Sequence, residues 1–249
     1  MHGIKMQFTM VRTVMLIAVF LTTAVSGGIQ AKGLNSKRTK AMKEKENILL
    51  NFENVPVGKL PAEWMADATR LRGPMETWQV ISDRSAPSGS HVLGMTSPNH
   101  RFGGTFNICW THSISFMDGE ITVRFKALKG RGDQGGGIMW RVRDRNNYYV
   151  ARFNPLEDNF CVYSVIQGVR RILGSATIKL PAGKWHTMKI VQKGSHFEGY
   201  LNGKKLLQGN WSKVNASGGV GMWTKADAVT SFDDFSVRLV GHNLQKQVK

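Results

Sequence analysis

The sequence predicts an all-β protein built from two packed antiparallel sheets. From Ile48 onward, short apolar or alternating runs follow one another at spacings of about 8–14 residues, as in sandwiches and barrels. Turn clusters separate these runs, and the chain holds 27 Gly against 7 Pro, a balance typical of many turns between strands. No stretch of this region has the 3.6-residue periodicity of an amphipathic helix.

The first half of the region supplies short runs and then clean alternations. The short runs are Ile48–Phe52, Thr77–Ser82, His91–Thr96 and Thr105–Thr111, and the alternating runs are Glu120–Leu128, Gly137–Arg143 and Tyr148–Phe153. Successive side chains on a strand point to opposite faces, so the apolar set of each alternating run should face the core. This predicts an inter-sheet core that contains Ile121, Val123, Phe125, Ile138, Trp140, Val142, Tyr149, Ala151 and Phe153. Trp185 and Phe232, at strand ends or on apolar strand faces, are also expected to be largely buried.

The second half predicts hairpins. One has its turn at Gly168, a second at Gly194, and Asn202-Gly203 is a strong signal for a two-residue hairpin turn. The last strands are expected at Gly219–Trp223 and Ser231–Val240. No internal repeat interrupts the pattern, so residues 47–240 are predicted to form one domain.

The N-terminal segment has the pattern of a secretory signal. Lys5 and Arg12 precede the apolar run Val14–Val25, and small residues offer cleavage after Gly27 or Ala31. Residues 1–31 are therefore predicted to be a signal peptide, which implies a secreted or periplasmic protein of the cell envelope. The alternative is an uncleaved signal, the one route to membrane association. Residues 32–46 are predicted to be a basic linker, and residues 241–249 a C-terminal tail.

The chain is strongly basic. Its 34 Lys and Arg minus 17 Asp and Glu give a net charge of +17. Such a charge favours anionic partners, namely acidic glycans, anionic cell surfaces or nucleic acid bound without specificity, and the alternative is that it only maintains solubility. The two cysteines, Cys109 and Cys161, leave a disulfide and buried free thiols equally open.

Three stretches carry a resemblance to a known family. They are Gly135–Leu173, with the turn D-x-x-N-Y-Y, Pro181–Leu207, with G-K-W-H and L-N-G-K, and Gly218–Val237, with G-x-W-T-K-A-D and F-D-D-F. Their order and spacing resemble the concanavalin A-like jelly-roll superfamily, in particular the bacterial 3-keto-disaccharide hydrolase-like or laminin-G-like domains. The resemblance covers residues 135–237 closely and Phe52–Thr96 loosely. It implies a concanavalin A-like antiparallel β-sandwich, and it says less about activity because one fold hosts many functions.

Carboxylate pairs suited to glycoside hydrolysis are scarce. The Glu-x-Asp-x-x-Glu motif of the laminarinase-type enzymes in the superfamily is absent, and the close pairs are Asp118 with Glu120, Glu157 with Asp158, and Asp233 with Asp234. Adjacent strand residues point to opposite faces, so Asp233 and Asp234 are not expected to act together. The sequence therefore assigns no catalytic residue and leaves open whether the protein is an enzyme.

Arginine and aromatic residues give the better site hypothesis. If the predicted core is right, Arg124, Arg141 and Arg152 share the opposite face, which the resemblance makes the concave, ligand-bearing one. Arginine binds carboxylate, sulfate and hydroxyl groups through several donors, and aromatic rings stack on sugars. The predicted ligand-binding residues are Arg124, Arg141, Arg152, Tyr163, Glu198 and Trp223. The alternative is that the arginines are solvated strand residues paired with acids.

No metal or cofactor is predicted, because the spacings typical of zinc sites and calcium-binding loops are absent. Resembling sandwiches sometimes bind calcium, and the Asp227 and Asp233 region would be the candidate site. The leading function hypothesis is an exported carbohydrate-binding jelly roll, with an anionic glycan as one candidate ligand and no specific nucleic acid. The alternatives are a glycan-processing hydrolase of the resembling family, acting on oxidised disaccharides or other glycans, and an envelope interaction protein without a small ligand.

Overall fold

The computed structural model describes residues 46–97 and 103–240. The predicted signal peptide, nearly all of the predicted linker and the C-terminal tail lie outside the described residues. The described part consists of strands joined by turns and loops, and it contains no helix. None of its segments is a helix long and apolar enough to cross a membrane.

The first sheet contains eight of the described strands. They are β1 (Glu46–Leu50), β3 (Thr77–Ser82), β4 (His91–Ser97), β6 (Gly119–Lys129), β11 (His186–Lys193), β12 (His196–Leu201), β13 (Lys204–Asn210) and β15 (Val229–Leu239). Their order is β13-β12-β11-β6-β15-β4-β3, and β1 pairs with the second half of β15.

The second sheet contains the other seven described strands. They are β2 (Trp64–Thr69), β5 (Phe106–Phe116), β7 (Gly136–Asp144), β8 (Asn147–Asn154), β9 (Asn159–Ile166), β10 (Val169–Thr177) and β14 (Gly218–Lys225). Their order is β10-β9-β8-β7-β14-β5-β2, and every pairing in both sheets is antiparallel. The predicted all-β jelly roll is confirmed.

The core lies between the two sheets, where the alternation predicts it. Phe125 of the first sheet packs against Phe153 of the second, with ring centroids 6.1 Å apart. Trp140 stacks on Tyr149 at 5.4 Å and donates its indole N–H to Gln192 Oε1 at 2.9 Å. The indole is therefore fully buried with its donor satisfied, as a buried Trp requires.

Two core predictions are wrong. Val142 faces away from the inter-sheet core, because Arg141 before it adopts a left-handed backbone (φ 48°) and the pairing with β8 shifts there. A bulge of this kind reverses the alternation for the residues that follow. Trp185, expected to be largely buried, is only half-buried, and its ring lies beneath the Lys126 ammonium group at 4.9 Å.

Candidate functional site

The outer face of the second sheet is concave. Three strands separate β2 from β8, yet the Thr69 hydroxyl group on β2 lies 2.8 Å from the Tyr148 hydroxyl group on β8. Trp223 on β14 donates its indole N–H to the same Tyr148 oxygen at 3.2 Å. A flat sheet would hold β2 and β8 about 19 Å apart, at roughly 4.8 Å for each strand. These contacts therefore require a strongly curled sheet.

A second apolar cluster lines this concave face, separate from the inter-sheet core. We call it the concave cluster, and it consists of Phe106, Ile108, Trp110, Met139, Val142, Tyr148, Val150, Cys161, Tyr163, Val165 and Trp223. Positively charged side chains accompany it, namely Arg70, Arg152, Arg170 and Lys225. The face therefore combines aromatic rings with cationic donors, which is the chemistry expected of a site for a hydroxyl-rich or anionic ligand.

Arg152 is held in a fixed position on this face. Its strand β8 pairs with β7 and β9, so Arg152 lies between Gly137 and Cys161. The guanidinium group donates to Asn159 Oδ1 at 2.9 Å and to Glu157 Oε2 at 2.7 Å, while its buried Nε has no hydrogen-bond partner among the described residues. Partial burial alone would raise the pKa of Glu157, but the hydrogen bonds from Arg152 and Asn159 and the charges of Arg152 and Lys225 together hold that pKa below its usual value.

Tyr163 and Trp223 belong to the same face. The Arg170 guanidinium carbon lies 4.3 Å from the centroid of the Tyr163 ring, and the Arg152 carbon lies 5.9 Å from it. Burial raises the pKa of Tyr163 to about 12 despite the two cations. Trp223 is fully buried beneath Arg170, whose guanidinium carbon lies 5.9 Å from the indole. Of the six predicted site residues, the structure thus brings Arg152, Tyr163 and Trp223 together.

Arg170 is the principal residue that the sequence interpretation missed. Its guanidinium group covers the rings of Tyr163, Phe106 and Trp223. A signal for it was present, because β9 and β10 form the predicted hairpin at Gly168. Residues that lie opposite each other in a hairpin point to the same face. Arg170 lies opposite Val165, which shares the concave face with Tyr163, so the hairpin alone would have placed Arg170 there.

Arg141 does not share this face, so the expectation that Arg124, Arg141 and Arg152 lie together is wrong. The left-handed backbone at Arg141 turns its side chain into the end of the sandwich, where it is fully buried. Its guanidinium group donates to four acceptors, which are Met117 O at 2.9 Å, Val214 O at 3.0 Å, Gly194 O at 2.7 Å and Asp118 Oδ1 at 3.1 Å. Arg141 therefore holds loops together at one end of the sandwich and does not lie on the concave face.

Arg124 and Glu198 lie on the opposite side of the molecule from Arg152. Both belong to the first sheet, where Arg124 pairs with Thr187 and Asp233 on that sheet's outer face. Glu198 accepts hydrogen bonds from Tyr200 and, at 3.1 Å, from Lys205, and these two bonds lower its pKa. The reason for the error is topological: β6 and β7 follow each other in the chain but belong to different sheets.

Asp233 and Asp234 are side by side, contrary to the expectation from simple alternation. Asp234 has a left-handed backbone (φ 47°) within a bulge of β15, so both carboxylates point outward. The Ser88 hydroxyl group lies 2.7 Å from Asp234 Oδ1 and 3.4 Å from Asp233 Oδ2. Burial, with a smaller contribution from the charge of Asp234, raises the pKa of Asp233 to about 6. Asp233 is fully buried beneath the loop that carries Ser88, so this pair anchors a loop.

The carboxylate groups near the concave cluster are already engaged. Glu157 is bound to Arg152, and Asp133 is bound to Lys225, with Asp133 Oδ2 2.8 Å from the ammonium nitrogen. Paired acids of this kind orient cations but are poorly suited to donate a proton. Both carboxylates therefore serve to orient cations on this face.

Asp227, the candidate calcium ligand, binds the backbone of a loop. Its two carboxylate oxygens accept hydrogen bonds from the backbone N–H groups of Arg131, Gly132 and Asp133, at distances between 2.6 and 3.1 Å. These hydrogen bonds stabilise the loop that connects β6 to β7. No group of three or more potential metal ligands occurs in the part of the chain that the structure describes.

Comparisons with known proteins agree with this fold. The sequence profile of a family described as "3-keto-alpha-glucoside-1,2-lyase-like domain" matches residues 67–238. No curated protein matches the chain.

Several solved structures share the fold. The carbohydrate-binding module CBM66 from Bacillus subtilis is 17% identical, with a TM-score of 0.57, and the match covers 73% of this chain and 99% of that one. The β-glucanase of Bacillus licheniformis is 12% identical, with a TM-score of 0.53 and coverage of 78% and 98%. A mixed-linkage-glucan GH16 protein of Bacteroides ovatus, solved with a product, is 9% identical, with a TM-score of 0.53 and coverage of 77% and 99%. At these identities the similarity establishes the fold alone.

Proposed function

Because the chain belongs to the 3-keto-alpha-glucoside-1,2-lyase-like domain family, we propose that it binds carbohydrate, on the concave face of its second sheet. One observation carries this proposal: Arg152 and Arg170 flank the Tyr163 ring on a curved surface backed by the concave cluster. A curved face of this kind can contact several sides of a sugar at once, which a flat sheet face cannot.

The chemistry of the face suits a sugar. Sugar rings present C–H groups on their faces and hydroxyl groups at their edges, so they pair with apolar surface below and with donors and acceptors around it. The concave cluster is buried, and it forms the apolar floor on which the arginines of this face lie. Glu157 and Asn159 supply donors and acceptors, and the buried Arg152 guanidinium group fixes their orientation before a ligand arrives.

A pair of arginine variants tests which face binds. The full-length chain is screened on a glycan array, and affinities for the hits are measured by titration calorimetry. Arg152→Gln should weaken binding roughly 10- to 100-fold, because Glu157 and Asn159 lose the charged hydrogen bonds that orient them. Arg124→Gln is the matched control on the outer face of the first sheet, and it should leave binding unchanged. Loss of binding in Arg124→Gln with retention in Arg152→Gln would move the site to the first sheet.

The family match supports a second candidate, a glycoside-processing activity on the same face. It predicts that a bound glycan is converted to products, which chromatography and mass spectrometry of an overnight incubation would detect. A ligand recovered unchanged after incubation favours a binding protein.

We also propose that the chain is exported to the cell envelope, as the pattern of residues 1–31 predicts. Mass spectrometry of the protein from its native host tests this, with a mature N-terminus at Gly28 or Lys32 expected. Recovery of peptides that contain Lys5 from the mature protein would contradict cleavage.

A further inference from the structure

We infer that the sugar bound on the concave face is anionic, and that Arg170 receives its acidic group. This inference rests on the proposed function and adds the class of ligand.

The guanidinium group of Arg170 lies over three aromatic rings. Its guanidinium carbon lies 4.3 Å from the Tyr163 centroid, 5.2 Å from that of Phe106 and 5.9 Å from that of Trp223. Its Nη1 atom is buried and has no hydrogen-bond partner among the described residues. The side chain as a whole remains partly exposed, so a ligand can reach it.

The acids nearby do not neutralise this charge. Glu157 pairs with Arg152 and Asp133 pairs with Lys225, and in the described part of the chain no carboxylate pairs with Arg170 or Arg70. Arg70 adds a second guanidinium group over the same Phe106 ring, at 5.9 Å. The concave face thus carries two positive charges without a matching acid, and both lower the pKa of Tyr148 against the larger, opposite effect of its burial.

The geometry of Arg170 leaves its donors available for an anion. Stacking on an aromatic ring uses the flat face of the guanidinium group, while the N–H donors point outward in its plane. That arrangement matches the two oxygens of a carboxylate or sulfate group, which accept parallel hydrogen bonds from one arginine. A partly desolvated cation without a partner is unfavourable, so an anionic group on the ligand would offset that cost.

Matched pairs of sugars test the inference by titration calorimetry on the full-length chain at low salt. One pair is trigalacturonate and its methyl ester, and the other is a sulfated galactose trisaccharide and its desulfated form. We expect at least one anionic sugar to bind about tenfold or more tighter than its neutral counterpart. The preference should weaken as salt rises. The pair that shows the preference identifies the acidic group as carboxylate or sulfate.

Two neighbouring arginines provide the variant and its control. Arg170→Gln should abolish the preference for the anionic sugar. Arg171→Gln, at an exposed arginine on the same edge strand, should retain it. If Arg170→Gln does not fold, Arg170→Lys replaces it, because it keeps the charge but loses the planar pair of donors and should reduce the preference.

The remaining outcomes overturn the inference in distinguishable ways. Equal affinity for the anionic and neutral members of both pairs, with neutral glycans still dependent on Arg152, rejects the anionic ligand and leaves the proposed function standing. A preference that survives in Arg170→Gln rejects the role of Arg170. Absence of binding to every glycan rejects both proposals.

Discussion

Arg141 and Asp118 form a buried ion pair that ties the two sheets together at one end of the sandwich. Arg141 belongs to the second sheet, and Asp118 lies in the turn through which the chain passes from β5 to β6 in the first sheet. The Asp118 oxygen that accepts from Arg141 at 3.1 Å also accepts from the backbone N–H of Gly194 at 2.8 Å. One carboxylate thus joins the arginine to a hairpin of the first sheet.

Replacing this arginine should destabilise the fold strongly. Arg141→Met should lower the free energy of unfolding by about 3–5 kcal/mol, because it leaves three carbonyl groups without their donor and removes one partner of the largely buried Asp118 carboxylate. Urea titration monitored by tryptophan fluorescence measures the change. Arg143→Gln, at an exposed position on the same strand, is the control and should alter stability by less than about 0.5 kcal/mol. Similar stabilities for the two variants would contradict the structural role of Arg141.

Stability should depend on pH through Asp233. Its pKa is about 6 in the folded protein against 3.8 for the ordinary group, so the folded state binds more protons between these values. The free energy of unfolding should therefore fall as pH rises from about 4 to about 6, by up to about 3 kcal/mol, and stay low above that range. Urea titrations across this range should show the fall in the wild type and not in Asp233→Asn.

The variant Asp234→Asn separates the two causes that raise the pKa of Asp233, namely burial and the charge of Asp234. It removes the like charge beside Asp233 but leaves the burial, which is the larger cause. We expect the fall in stability to become smaller without disappearing. If the free energy of unfolding depends on pH in the same way in the wild type and in Asp233→Asn, another group is responsible for the fall.

Sequence periodicity predicted the fold and most of the core, because two-residue alternation is a local property of each strand. It did not predict which strands are neighbours, so Arg124 and Arg152 were assigned to one face although their strands belong to different sheets. Bulges were a second source of error. One non-glycine residue with a left-handed backbone, Arg141 or Asp234, redirects the side chains around it, and alternation contains no signal for that. The strand β2 was also missed, since its short sequence around Asp67 does not alternate clearly.

Two tryptophans should differ in their contribution to stability. Trp140→Ala should cost about 3–5 kcal/mol, because it opens a cavity beside Tyr149 and leaves Gln192 without its indole donor. Trp185→Ala should cost about 1 kcal/mol, since that ring is half-buried and contacts the Lys126 ammonium group and the Ser85 hydroxyl group. Thermal and urea unfolding of both variants measure the difference. Equal losses would mean that Trp185 belongs to the core after all.

The two cysteines should behave as free, protected thiols. Cys109 lies in the inter-sheet core and Cys161 in the concave cluster, so their side chains point to opposite faces of the second sheet and cannot form a disulfide with each other. Both are buried, and burial raises the pKa of the Cys109 thiol, which suppresses the reactive thiolate. The folded protein should therefore react slowly with a thiol reagent, whereas the chain unfolded in urea without reductant should yield two thiols. Reductant should leave the melting temperature unchanged. Recovery of no thiol from the unfolded chain would show a bridge and contradict the placement of Cys109 and Cys161 on opposite faces.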